Sequence, residues 1–200
     1  MHSDKAMKTS VGQKKPLTRN QIKKIKTLLI SEGNLRDVAL FGLSIDSMLR
    51  SSDLLNLRVG DLIDTNGEIP AKIDIQQKKT GKTVTIQTQD DTIDSLLKWI
   101  EVSGKASNDF IFTGRKGTGR PISHVQHTRL VKKWVELLEL PSKLYSTHSL
   151  RRSKSSIVYA ETKDIEVCRQ LLGQSNTSAT SRYLGIEKED ALKIAAGIKL

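Results

Sequence analysis

Residues 71–87 read Ala71-Lys-Ile-Asp-Ile-Gln-Gln-Lys-Lys-Thr-Gly-Lys-Thr-Val-Thr-Ile-Gln87, and this stretch decides the fold class. Apolar and polar residues alternate over Ala71–Gln76 (Ile73, Ile75) and again over Thr83–Gln87 (Val84, Ile86). A period of two puts those four branched side chains on one face of paired strands. Lys78-Lys-Thr-Gly-Lys82 supplies the turn between them, so the stretch predicts a β-hairpin with a basic tip. On both sides of it the period is helical. Thr18 is placed to cap a helix carrying Ile22, Ile25, Leu28 and Leu29. Residues 34–49 continue as helix through Leu35, Val38, Ala39, Leu43 and Met48, and a short helix follows Ser51 with Leu54, Leu55 and Leu57 turned inward. Residues 91–102 return to helix through Ile93, Leu96, Leu97 and Ile100, and Gly114–Pro121 reads as a loop. Further helices are expected over 123–139, 148–160, 164–172, 177–184 and 187–196. The expected class is α+β, mainly helical, with one small antiparallel sheet inserted.

Charge is the second constraint. The chain has 200 residues and a formal charge of +11, spread unevenly. Residues 1–30 hold eight lysines and arginines against Asp4 alone, the footprint of a segment that meets a polyanion, of which nucleic acid is the commonest. A solubilising tail is the plainer alternative. Aromatic residues are only 4% of the chain, which argues against stacking on single-stranded bases and favours phosphate contacts on a duplex. The single Cys168 excludes an internal disulfide, and its spacing from Ile165 and Leu172 reads as a helix face in the core. No apolar run approaches membrane-spanning length and no signal-peptide core is evident, so a cytoplasmic, nucleoid-associated protein of a bacterium, phage or mobile element is expected.

Two tempting motifs fail. Gly81-Lys-Thr83 looks like the end of a nucleotide-binding loop, but position 76 is Gln and a strand follows where a helix is required. His124 and His127 are spaced like metal ligands on a helix, yet no cysteine or nearby carboxylate completes a set; a surface or groove-facing role is expected for both. Three other stretches remain. His148-Ser-Leu-Arg151 places an imidazole and a guanidinium on one helix face, above a Ser146 or Thr147 cap that favours an anion. Leu49-Arg50-Ser-Ser-Asp53-Leu54 carries an arginine among apolar positions, either paired with Asp53 or holding a ligand. Leu171-Leu-Gly-Gln-Ser-Asn-Thr-Ser-Ala-Thr-Ser-Arg-Tyr183 ends one helix at Gly173 and presents a tyrosine on the next.

Taken in order, these stretches resemble the boxes of the tyrosine recombinases, or phage-type integrases, over residues 18–196. Leu49-Arg50-Ser-Ser-Asp53-Leu54 matches the first arginine box and His148-x-x-Arg151 the second. The family's hairpin lysine falls on Lys79, with Lys78 and Lys82 as rivals. Leu172-Gly-Gln174-Ser resembles the family's Leu-Gly-His-Ser, and Tyr183 stands nine residues beyond position 174, where the nucleophile is expected. The sequence departs from the pattern at Gln174, where the family has histidine, at Met48, where it often has glycine, and at Arg152, where histidine is frequent.

The resemblance implies a phosphodiester attacked by Tyr183, held by the planar forks of Arg50 and Arg151, with His148 donating a hydrogen bond or assisting proton transfer. Lys79 would protonate the 5′-oxygen leaving group, and Gln174 would be a sixth member of the pocket, able to donate but not to carry charge. The product would be a 3′-phosphotyrosyl link, rejoined without ATP, metal or cofactor. Free tyrosine titrates near about 10, so attack at neutral pH calls for a cationic pocket or a base. Lys78, Lys82, Arg115, Lys116, Arg120 and Arg152 are expected DNA contacts, with Lys132 as a further one.

The expected organisation is a flexible basic arm, 1–17, and a catalytic domain, 18–200, that includes a C-terminal helix, 187–200. Ala191, Leu192, Ile194, Ala195 and Ile198 give that helix an apolar stripe. The resemblance implies that the stripe docks on a neighbouring protomer in a tetrameric synapse on double-stranded DNA; packing on its own core is the alternative. The function expected is site-specific recombination (integration, excision or inversion). The rivals are a DNA-binding regulator on the same fold and, more remotely, a topoisomerase of the same chemistry.

Overall fold

The computed structural model describes residues 13–78, 80–114, 119–185 and 196. Arm residues 1–12, Lys79, Arg115, Lys116 and all of 187–200 except Ala196 therefore lie outside the described residues. Helix α1 (Arg19–Ser31) starts at Thr18 in a reciprocal cap: the Gln21 N–H donates to Thr18 Oγ1 and the Thr18 N–H donates to Gln21 Oε1. It buries Ile25 and Leu29 against α2 (Leu35–Asp46), whose residues from Asp37 onward are all buried, so α2 is the axis of the domain. Helix α4 (Asp90–Ser103) crosses α2 closely because Gly42 has no side chain; a Cβ there would stand 2.7 Å from Thr92 Oγ1. Trp134, on α5 (His124–Glu136), closes the core edge-on to Phe41 at 5.5 Å between ring centroids and donates its indole N–H to Asp37 at 3.0 Å.

The hairpin forms as its alternation requires. Strands β1 (Lys72–Gln76) and β2 (Thr83–Gln87) pair antiparallel with Ile73 opposite Ile86 and Ile75 opposite Val84, all four buried. The remaining helices are α3 (Ser51–Leu55), α6 (Thr147–Thr162), α7 (Ile165–Leu172) and α8 (Thr177–Leu184), the last three packed on one another beside the hairpin. Cys168 is fully buried on α7, as its spacing predicts. No helix among the described residues is long and apolar enough to cross a membrane.

Two expectations change. The helix expected over 34–49 stops at Asp46. The Ser47 hydroxyl donates to Leu43 O at 2.6 Å and accepts from the Leu49 N–H, and Met48 takes φ 50°, which throws Arg50 out of the helix into an extended N-cap for α3. The left-handed conformation at Met48 explains why glycine suits this position: a side chain there is strained. The arm also ends earlier than expected. Residues 13–17 are docked: the Lys15 N–H donates to Leu144 O and the Leu17 N–H to Ser153 Oγ, each at 2.9 Å, and Leu17 is buried in the core.

Candidate active site

Two long helices begin at one cleft. Ser146 caps α6, accepting from the His148 N–H at 3.3 Å, while Ser149 Oγ accepts from the Ser146 N–H. Ser123 and Gln126 form the same reciprocal cap on α5. The first residues of both helices, together with Leu49–Ser52, line a cleft of about 150 Å³. Arg50, His124, Thr147, His148 and Arg151 supply its polar wall. Two helix N-termini and two guanidiniums favour an anion there.

The arginines are held from behind. Arg50 Nη1 donates to Gln77 Oε1 at 2.7 Å and stands 3.9 Å from Asp53, an ion-pair contact too long for a hydrogen bond. Asp53 Oδ1 accepts from the Lys78 N–H at 3.1 Å, so the arginine box and the hairpin are fastened at two points. Arg151 is 5% exposed and donates through Nη2 to Leu172 O at 2.7 Å, while its Nε has no partner. Burial first, then the neighbouring Arg151, His124, Arg152 and Arg50, hold the His148 imidazole below its usual pKa. His148 is thus neutral at pH 7.

Tyr183 lies beside this cleft but is turned inward. Its ring rests over the Arg151 guanidinium at 5.6 Å and the Arg152 guanidinium at 5.7 Å, and its buried hydroxyl has no hydrogen-bond partner. Burial pushes the phenol up to about 12, outweighing the three arginines that pull it down. The expected activation by a cationic pocket is therefore reversed in this conformation: desolvation wins.

The other expected site residues divide. Gln174 is not brought to the cleft. Its Oε1 accepts from Thr180 Oγ1 at 2.7 Å, its carbonyl accepts from Arg169, and it borders a separate cavity against Lys82–Thr85. Here it joins α7 to α8. Arg152 is 3% exposed, and its guanidinium donates to Lys14 O at 2.5 Å and Leu184 O at 3.4 Å. It is an internal clamp rather than a surface DNA contact. Lys78, Lys82, Arg120 and Lys132 are exposed, as phosphate contacts must be. Lys79, Arg115 and Lys116 lie outside the described residues.

The two histidines of α5 separate as well. His124 faces the groove. His127 does not: it is buried against Trp134, its Nδ1 lies 2.9 Å from Ser51 Oγ, and burial lowers its pKa to about 4. Gln77 carries no signal in the sequence. It is a fully buried amide following a strand, and nothing in its local context separates it from an ordinary turn residue.

The sequence profile of the phage integrase family matches residues 15–190. The chain belongs to the phage integrase family. Similar curated proteins include the probable integrase/recombinase YoeC of Bacillus subtilis, 29% identical over 89% of this chain and 94% of its own length. A tyrosine recombinase of Pseudothermotoga lettingae is 31% identical over 84% of this chain and 56% of its own length. The tyrosine recombinase XerC of Actinobacillus pleuropneumoniae is 28% identical over 95% and 60%. This integrase-family chain thus spans nearly all of YoeC but little more than half of the other two. Among solved structures, XerA recombinase superposes with a TM-score of 0.75 at 16% identity, covering 96% of this chain and 68% of that one. XerH bound to a palindromic difH substrate superposes at 0.69 and 19%, covering 92% and 53%. These likenesses establish the fold, a tyrosine-recombinase catalytic domain.

Proposed function

We propose that the chain cuts and rejoins double-stranded DNA at specific sites, with Tyr183 as nucleophile and a 3′-phosphotyrosyl intermediate. The observation that carries the reading is the cleft itself: Arg50, His148 and Arg151 line one cavity, and Tyr183 is stacked on Arg151 beside it. In the proposed reaction Tyr183 gives its proton to the imidazole of His148, and its oxygen bonds to phosphorus as the bond from phosphorus to the 5′-oxygen breaks. The 5′-oxygen takes a proton from Lys79, leaving a free 5′-hydroxyl. Arg50 and Arg151 offset the negative charge that builds on the non-bridging oxygens. Because the phosphodiester is exchanged for a phosphotyrosyl ester, the reverse attack by a 5′-hydroxyl rejoins DNA with no outside energy source. XerH and the other relatives named as recombinases support this reading, as does the difH substrate bound in the XerH structure. A homotetrameric synapse, docked through 187–200, and action on a mobile element belong to the same proposal.

The buried phenol favours one rival, a DNA-binding regulator that does not cleave. A nicked duplex drawn from a random pool by tight binding separates the two. Recombinase function predicts a denaturant-resistant 3′ adduct that disappears in Tyr183→Phe while binding remains. Tight binding with no adduct from the wild-type chain would establish the regulator.

A further inference from the structure

His124 is a second imidazole on the wall of the cleft, supplied by a different helix from His148. The Ser123 cap makes it the first residue of α5, so its side chain stands at the end of that helix where the free N–H groups point. Its Nε2 lies 3.3 Å from Oγ1 of Thr147, the first residue of α6 and the neighbour of His148. The contact admits two arrangements. With Thr147 donating to Nε2, the neutral imidazole carries its proton on Nδ1; with the Nε2–H donating to Thr147 Oγ1, Nδ1 carries a proton only when the ring is charged. A catalytic role for His124 uses the first neutral arrangement or the charged ring, each of which leaves the Nδ1 donor free. The cleft also needs donors. One Arg50 nitrogen is committed to Gln77 and one Arg151 nitrogen to Leu172, and Gln174 is bound to Thr180 in another cavity. The coupling is electrostatic too, since His124 is among the groups that hold His148 in its neutral form.

We infer that His124 is a further catalytic residue of this site, donating from Nδ1 to a non-bridging oxygen of the phosphate held between Arg50 and Arg151. The inference rests on the strand-transfer reading for its role in rate, but the phosphate contact itself can be tested without DNA.

Inorganic phosphate is the probe for that test. Titrated into the full chain, it is expected to move the ring resonances of both His124 and His148 along one saturation curve. Affinity should fall several-fold in His124→Ala and recover in part in His124→Asn, which keeps a donor. Movement of His148 alone, or equal affinity in His124→Ala, would overturn the inference. In the nicked-duplex assay, His124→Ala is expected to slow adduct formation by roughly 10- to 100-fold at saturating DNA, with DNA affinity falling no further than phosphate affinity does and partial rescue by His124→Asn. A wild-type rate in His124→Ala overturns the catalytic role while leaving the strand-transfer reading intact. A wild-type chain that never forms an adduct sinks that reading, and the phosphate titration still decides whether His124 contacts the anion.

Discussion

The anion cleft and the helix that carries Tyr183 are built by opposite means. The cleft is assembled from behind: Gln77 holds Arg50, Leu172 O holds Arg151, and reciprocal caps fix the first turns of α5 and α6. Its polar groups line the cavity. Helix α8 has only eight residues and is fastened at its far end, where Gln13 Nε2 donates to Arg182 O and Tyr183 O at 2.9 and 2.8 Å. Arg152 bridges the same end to the docked residues 13–17, a strap across the domain, through Leu184 O and Lys14 O. Its working group, the phenol, faces inward. Under the proposed reaction, the contrast teaches that charge stabilisation would be preorganised while the proposed nucleophile is withheld, a division that suits an intermediate formed only on DNA.

Removing Arg151 attacks the cleft and gives the largest expected effect. Arg151→Ala should slow adduct formation by about 10²- to 10³-fold, as removal of a charge-stabilising donor does. Leaving Leu172 O unpaired should also lower stability by about 1–3 kcal/mol in denaturant unfolding. A large loss of stability with little loss of rate would mean that Arg151 belongs to the scaffold alone.

Acid should loosen the cleft side first. His127 props Ser51 beside Arg50. Its pKa is about 4 folded against an ordinary 6.5 for an exposed imidazole. Between those values the unfolded chain binds more protons, so the stability is full above about pH 6.5 and lost as pH falls toward 4, on the order of 3 kcal/mol in all. Unfolding free energies measured across that window should carry this slope in the wild type and lose most of it in His127→Phe. An unchanged slope would show that another group carries the acid sensitivity.

Gly173 joins the two regions. It takes φ 60°, and a Cβ there would stand 2.4 Å from Val84 Cγ1 and 3.0 Å from Gln77 Nε2. Gly173→Ala is expected to cost about 1–3 kcal/mol and to disturb the Gln77–Arg50 contact, lowering adduct yield as well as thermal midpoint. The smallest change is expected at the strap. Gln13→Ala removes two hydrogen bonds from the end of α8 and should bring the Tyr183 phenol below about 12 in a near-ultraviolet titration read as a difference from Tyr183→Phe. Adduct formation should rise by roughly two- to tenfold, the equivalent of one net hydrogen bond. Slower cleavage instead would make the strap a support for the nucleophile.

Much of this was legible in the sequence, for reasons tied to particular residues. Alternation over Ile73, Ile75, Val84 and Ile86 could only serve a half-buried strand pair, so the hairpin followed; its register is read from the structure. Arg50, His148, Arg151 and Tyr183 were found because ordered motifs mark them, and three of the four do line the cleft. The end of α2 was not legible. Met48 and Leu49 are both buried and continue the apolar pattern, so periodicity cannot register the turn made by Ser47 and the left-handed Met48. Arg152 followed Arg151 and read as one more surface cation; one helical step moves it to a face covered by α8 and the strap. Gln13 sits within a basic run that reads as solvated. Gln174 and the raised pKa of Tyr183 depend on which neighbours arrive from distant elements, which local spacing does not encode.

The most direct test of the central claim is to locate the bond. A nicked duplex bearing a bound site is incubated with the chain in excess chelator, the covalent complex is digested, and the peptide carrying nucleotide is sequenced by mass spectrometry. The result predicted is a 3′-phosphonucleotide on Tyr183, formed without added metal. Attachment at another residue, linkage through a 5′-phosphate, or cleavage that requires a divalent cation would contradict it.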